Sequence, residues 1–357
     1  MSMEKGIYKV NVFKRLESVQ ESDISEVNKR LIQEFVNHCV VTGLGEHRIL
    51  KYISTLKNIA LTMQSDFDAV DAKCLQSYVA VLEQSDSSEW TKHDYKVTLK
   101  KFYRWHFDDD DPSLTKWIKT RISNSRSKLP DDMLTECEVV ELIGAATNKR
   151  DKALIALLWD IGARIGEVGT LRIRHVSFDD IGAVINVSGK TGPRRVRAVY
   201  SVSYLKEWIS EHQGNDNPNS PLWFKFNSSD NQLTMLRYDA IRMQLIKIAR
   251  RAGITKNIHP HLFRHSRATY MANFLTEAQM NAYFGWVQGS DMPAVYVHLS
   301  GRDVDDAVLK ANGVVTQKNG SVVNPISNSE MNHDVDSSML EAVVEEKLKK
   351  MMMKLLV

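Results

Sequence analysis

The chain has 357 residues, 43% of them hydrophobic and 25% charged, enough to bury a core and by length to form about two domains, which excludes disorder and a small disulfide-stapled fold. Its 47 Lys and Arg stand against 44 Asp and Glu, so the net charge of +3 argues neither for nor against a polyanionic partner and the placement of the charges must decide. Cys39, Cys74 and Cys137, odd in number and widely spaced, suggest neither a disulfide framework nor a cysteine zinc site and fit a reducing interior, while the lack of an apolar signal core in residues 1–12 and of any long apolar run predicts neither export nor membrane spanning.

Residues 1–21 read as an N-terminal extension. From 22 to 107 the apolar period predicts four helices, 24–42, 46–63, 72–84 and 89–107, one small all-α domain. In the last of these, Tyr95, Leu99, Phe102 and His106 form a buried stripe, while Lys92, Lys96, Lys100 and Arg104 recur every four residues on another face. That row suits a phosphate backbone or, alternatively, an ordinary solvated face. Four aspartates, 108–111, and Pro112 close the unit, and 108–133 reads as a linker.

A second domain, 134–312, opens with a Thr135/Glu138 capping box before a helix at 136–146; Asp151 is expected to cap 152–160, which Gly162 ends. The period then changes, and 183–187 and 196–200 read as strands around the turn segment Ser188–Pro193. Helices follow at 204–212, 236–252, 261–273 and 277–284, the last capped by Thr276 and stopped by Gly285. A short helix starting near Met292-Pro293 should carry Tyr296. Residues 313–336 read as a flexible linker, and 337–357 as a helix with acids before bases that packs on a partner or folds back on its own chain.

The net charge hides a concentration of arginine. Between Leu236 and Tyr270 there are eight bases and one acid, and between Arg164 and Tyr200 seven bases and three acids. Arginine forks match phosphate oxygens in pairs, so both stretches invite a polyanion. No phosphate-binding Walker loop occurs, because Ser188-Gly189-Lys190-Thr191 lacks the first glycine and sits in a hairpin. His259, His261 and His265 suggest a metal only weakly, since bases and not acids surround them; no metal and no cofactor is expected.

Five segments in order, Ala163-Arg164-Ile165-Gly166-Glu167, a lysine in a β-hairpin, His261-Leu262-Phe263-Arg264-His265-Ser266-Arg267-Ala268-Thr269, Phe284-Gly285-Trp286 and Val295-Tyr296-Val297-His298, resemble the signature of the tyrosine recombinases, the phage-integrase family. The resemblance covers about residues 20–312. It implies a mainly α fold with a small β-hairpin or sheet: an N-terminal four-helix, SAM-like core-binding domain followed by an α+β catalytic domain. It further implies site-specific cutting and rejoining of DNA without metal, through a 3′-phosphotyrosyl enzyme, in a homo-tetramer on double-stranded attachment sites that is weakly associated or monomeric when free. The implied catalytic set is Tyr296 as nucleophile, Arg164 and Arg264 on the phosphate, Lys190 as general acid, His261 in proton transfer and Trp286 as a hydrogen-bond donor, with Glu167 supporting them. Lys190 has rivals for its role in Arg194 and Arg195.

Contacts to DNA are expected from Lys92, Lys96, Lys100, Arg104, Arg194, Arg195, Arg242, Arg250 and Arg251. The run from Gly289 to Gly301 looks most like integrases of archaeal viruses or mobile elements, with Xer-type recombinases next, and the implied location is the cytoplasm, on DNA. Two other classes compete: a DNA-binding relative without turnover, and a type IB topoisomerase that relaxes supercoils.

Overall fold

A computed structural model describes residues 6–8, 10–121, 132–227 and 232–299. The expectations for 313–336, for 337–357 and for most of the 108–133 linker concern residues outside that set.

The four expected N-terminal helices are present as α2 (Glu26–Val41), α3 (Glu46–Met63), α4 (Ala72–Gln84) and α5 (Glu89–Phe107). Ser25, Asp71 and Ser88 start three of them by accepting a backbone N–H three residues on, the bond that an unpaired first turn requires. One helix precedes them. α1 (Val12–Gln20), capped by Asn11, occupies what reads as a bare extension, because Val12, Leu16 and Val19 form one narrow apolar edge that meets α3. Val19 is buried with Leu31, Phe35, Ile53, Leu56 and Phe102 in the first core. A single turn, α6 (Ser113–Lys116), follows α5.

The second core gathers around α8 (Lys149–Ile161), in which every residue from Ala153 to Ile161 is buried, all of them apolar except Asp160. Its cap is Asn148, not Asp151: the Asn148 side chain accepts from the Asp151 N–H, and the Asp151 carboxylate turns to Arg150 and Gln244. Packed on α8 are α7 (Glu136–Ala145), α10 (Val202–Ser210) and α12 (Pro260–Met271). α9 (Ile165–Gly169) leads through a 3₁₀ turn into the antiparallel sheet β1 (Val176–Asp179), β2 (Gly182–Gly189) and β3 (Gly192–Ala198). Gly189 pairs with Gly192, so Lys190 and Thr191 form the tip of a hairpin longer than the periodicity indicates.

A second hairpin, β4 (Phe224–Asn227) and β5 (Gln232–Met235), precedes α11 (Tyr238–Arg251). The described chain ends in α13 (Glu277–Phe284) and α14 (Met292–Leu299). It is thus mostly helical with two small antiparallel sheets, and no described helix is long and apolar enough to cross a membrane. Before entering α1 the chain touches the second core, where Ile7 is buried and its carbonyl accepts from the Tyr238 N–H.

Candidate active site

Arg164 lies just outside α9 and Arg264 within α12, 100 residues apart in sequence, yet both are anchored by the same helix end. α13 stops at Gly285, which takes a left-handed φ of 63° and leaves the last carbonyls of the helix facing inward. Phe284 O accepts from Arg264 Nη2 at 2.8 Å and Gly285 O from Arg164 Nη2 at 3.0 Å. The negative end of a helix dipole is a natural seat for a guanidinium, and here it holds two. Arg264 also donates through Nη1 to Gly162 O at 3.0 Å, and its guanidinium lies 5.4 Å from the Trp286 ring centre. Burial and the adjacent Arg164 pull its pKa down to about 10, so it keeps its charge at neutral pH.

Glu167 is the anion of this cluster and is 2% exposed. Arg194 clasps it through Nη1 at 2.7 Å and Nη2 at 2.8 Å, Arg164 Nη1 lies at 3.2 Å, and the Arg164 backbone N–H donates at 2.9 Å. Burial alone would raise its pKa, but the hydrogen bonds and charge of Arg194, then those of Arg164, outweigh burial and hold the carboxyl below its usual value. Two glycines leave room for this packing: a Cβ at Gly189 would come within 2.8 Å of Glu167, and one at Gly285 within 2.8 Å of Arg194.

Arg194 is therefore not the open, DNA-facing cation that its sequence position suggests. Both of its Nη groups donate to the buried Glu167 carboxylate and its Nε to Tyr283 O, so its charge is paired inside the protein while Lys190 stands open. Lys190 stands exposed at the hairpin tip beside Thr191, whose hydroxyl donates to Gly285 O and accepts from Arg164 Nη1. The hairpin is thereby tied to the arginine pair.

Tyr296, on α14, is 3% exposed. Its ring lies parallel to Trp286, with centres 5.3 Å apart and planes 6° apart, and its hydroxyl is 2.6 Å from His265 Nδ1. Burial raises the phenol pKa and the charge of Arg264 works against that rise. The other tyrosines near the site are structurally committed: the Tyr283 hydroxyl donates to Asp160 O, and Tyr270 packs on Trp159 and Phe274. His261 is exposed at the first turn of α12.

The structure thus brings together Arg164, Arg264, Glu167, Trp286 and Tyr296, with Lys190 on the hairpin that Thr191 ties to them. Three further contributors carry no sequence signal of their own. Thr191 and His265 are visible only as neighbours of motif residues. Asp160, buried in α8, accepts from the backbone N–H groups of Val199 and Ser201 and so fixes the base of the hairpin.

The row of bases on α5 also needs correcting. Lys92 is 8% exposed and donates to Glu83 O, and Lys96 is paired with the Glu83 carboxylate at 2.7 Å, because α4 presents Glu83 directly to them. Lys100 is half-buried and Arg104 exposed, while Arg195, Arg242, Arg250 and Arg251 are all exposed.

Residues 132–302 match the model of the phage integrase family. Tyrosine recombinase XerA of Pyrococcus horikoshii is 27% identical over 245 residues, 69% of this chain and 80% of that protein. Among solved structures, XerH site-specific recombinase bound to palindromic difH substrate in a post-cleavage complex superimposes with a TM-score of 0.61 at 18% identity, over 84% of this chain and 88% of that one. A lambda integrase tetramer bound to a Holliday junction gives a TM-score of 0.60 at 13% identity, over 80% and 81% of the two chains. Two arginines anchored on one helix end, a buried carboxylate between guanidiniums and a tyrosine stacked on tryptophan thus occur in a chain whose residues 132–302 match the phage integrase family and which is similar to tyrosine recombinases.

Proposed function

We propose that this protein cuts and rejoins DNA strands at a specific site by using Tyr296 as the nucleophile toward a backbone phosphate. The observation that carries this reading is the meeting of a buried tyrosine with two anchored guanidiniums beside one tryptophan. Attack of the phenolic oxygen on phosphorus forms a 3′-phosphotyrosyl ester and expels the 5′ oxygen, so the bond energy is kept for rejoining. Arg164 and Arg264 serve the non-bridging oxygens, whose charge shifts in the transition state. Protein carbonyls hold each fork in place, which limits the freedom each side chain loses when the phosphate arrives. Lys190, exposed at a hairpin tip, supplies the proton that the departing oxygen needs, with His261 assisting and the Trp286 indole N–H donating a hydrogen bond.

In the same reading, residues 22–107 form a core-binding domain that α1 joins, the linker 108–133 crosses the duplex, and 134–312 catalyse. Exposed arginines of α11 and Arg195 contact phosphates. Four protomers act on two duplexes, a reading supported by likeness in fold to the lambda integrase tetramer. The substrate is an attachment site of a mobile element, and the C-terminal helix 337–357 serves assembly.

The test is covalent capture. Wild type incubated with nicked duplexes from a random-sequence pool should yield a denaturation-resistant protein–DNA adduct, in chelator as well as in its absence, and Tyr296→Phe should yield none while still shifting the captured duplex in a native gel. An adduct surviving in the variant would remove Tyr296 as nucleophile; binding without an adduct from either protein would favour a DNA-binding relative without turnover.

A further inference from the structure

The motif around Arg264 contains a histidine that the reaction outlined above leaves unused. His265 follows Arg264 on α12, and on a helix consecutive side chains point about 100° apart. One residue therefore faces Gly162 and Phe284 while the next faces α14. There the Tyr296 hydroxyl reaches His265 Nδ1 over 2.6 Å, and the two rings lie 5.8 Å apart at 29°. With the Trp286 ring stacked on its face, the buried phenol has its oxygen directed at an imidazole nitrogen.

We infer that His265 is a catalytic residue of this enzyme, the group that takes the Tyr296 proton as the phenolic oxygen attacks phosphorus and returns it when the phosphotyrosyl bond is broken. The assignment rests on the functional reading above. The O–H bond of Tyr296 breaks toward Nδ1 of a neutral imidazole, the new P–O bond forms as the P–O5′ bond breaks, and the 5′ oxygen receives its proton from the separate acid, Lys190. In rejoining, the imidazolium protonates the departing phenolate.

Chemistry requires such an acceptor. A buried phenol beside a cation is still protonated at neutral pH, and a histidine at 2.6 Å is within reach of that proton. The phenol is far the weaker acid, so the transfer must accompany attack and not precede it. Among the charged and titratable groups near the pair, Arg264 on α12 carries a charge that favours phenolate, and His261 lies one turn earlier on the same helix.

The experiment uses the full chain and a nicked duplex recovered by wild-type covalent capture. Should wild type capture no duplex, the functional reading falls and this assignment with it. His265→Asn places an amide oxygen near the Nδ1 position, where it accepts a hydrogen bond without taking a proton, and His265→Ala removes the group. Both should bind the duplex as wild type does and form adduct about 100-fold more slowly. The deficit of the Asn variant should shrink about tenfold per pH unit as rising pH supplies phenolate, and added imidazole should restore at least about tenfold to the Ala variant. Near-normal cleavage by His265→Asn, or a deficit that neither pH nor imidazole changes, would reduce His265 to packing and overturn the assignment. If the Ala variant does not fold, the pH profile of the Asn variant decides.

Discussion

Two helices of this protein carry rows of basic residues, and the structure treats them in opposite ways. On α5, Lys92 and Lys96 fold against Glu83 of the neighbouring α4, whereas on α11 Arg242, Arg250 and Arg251 stand exposed and meet no acid among the described residues. The β2–β3 hairpin repeats the contrast within a few residues, since Arg194 is clasped by Glu167 while Lys190 and Arg195 are open. Whether a base is available to a polyanion is settled by the element packed beside it. Its spacing along its own helix decides only which side it occupies.

The strongest way to break this comparison is to remove the acid that does most of the holding. Glu167→Gln leaves Arg194 and Arg164 close together without their anion, and breaking one side of a buried ion pair costs about 3–5 kcal/mol. Denaturant unfolding should show a loss of that order, together with a severe loss of cleavage. The pH dependence follows from the depressed pKa of Glu167. Its stabilisation is fully present above the ordinary carboxylate value of 4.5 and is lost as pH falls through the lower folded value, so wild type and variant should converge in stability only below pH 4.5. Equal stability at pH 7 would mean that Glu167 is replaceable and that the forks are held by the α13 carbonyls alone.

Next in size is the open row. Arg242→Ala combined with Arg250→Ala should weaken DNA binding at low salt and flatten the plot of log affinity against log salt concentration by about 2 units, roughly one for each lost phosphate contact. Cleavage at saturating protein should persist, because neither residue touches the catalytic cluster. An unchanged slope would show that exposure on α11 is unrelated to DNA.

These contrasts also mark what the amino-acid sequence conveys. Helices α2 to α5 were legible from their apolar period, and α7 and α13 also from the caps Thr135 and Thr276 and the stop Gly285, which act within one turn of their own residue. Helix α1 was not, since nine residues with four apolar positions, one of them the exposed Phe13, give too little periodic signal. The short strands β1, β4 and β5 gain their stability from partners across the sheet and were missed for that reason. Of the site, the motif residues were legible through their order along the chain. Contacts that close over distance were not: Arg194 meets Glu167 across 27 residues, and His265 meets Tyr296 across 31. No period in the sequence encodes either approach.

The smallest expected effect lies within the α5 row itself. Lys96 and Arg104 occupy the same helix two turns apart, one paired at 2.7 Å and the other exposed. An ion pair with a partly exposed partner contributes about 0.2–1 kcal/mol, so Lys96→Ala should lower stability by no more than that and leave the salt slope of DNA binding where it was. Arg104→Ala should do the reverse, leaving stability unchanged and flattening the slope by about 1 unit. If both substitutions flatten the slope equally, the Lys96–Glu83 pair opens on DNA and the acid on α4 masks a contact instead of abolishing it. If neither does, α5 binds no phosphate, and the affinity must come from other elements such as α11 and the hairpin.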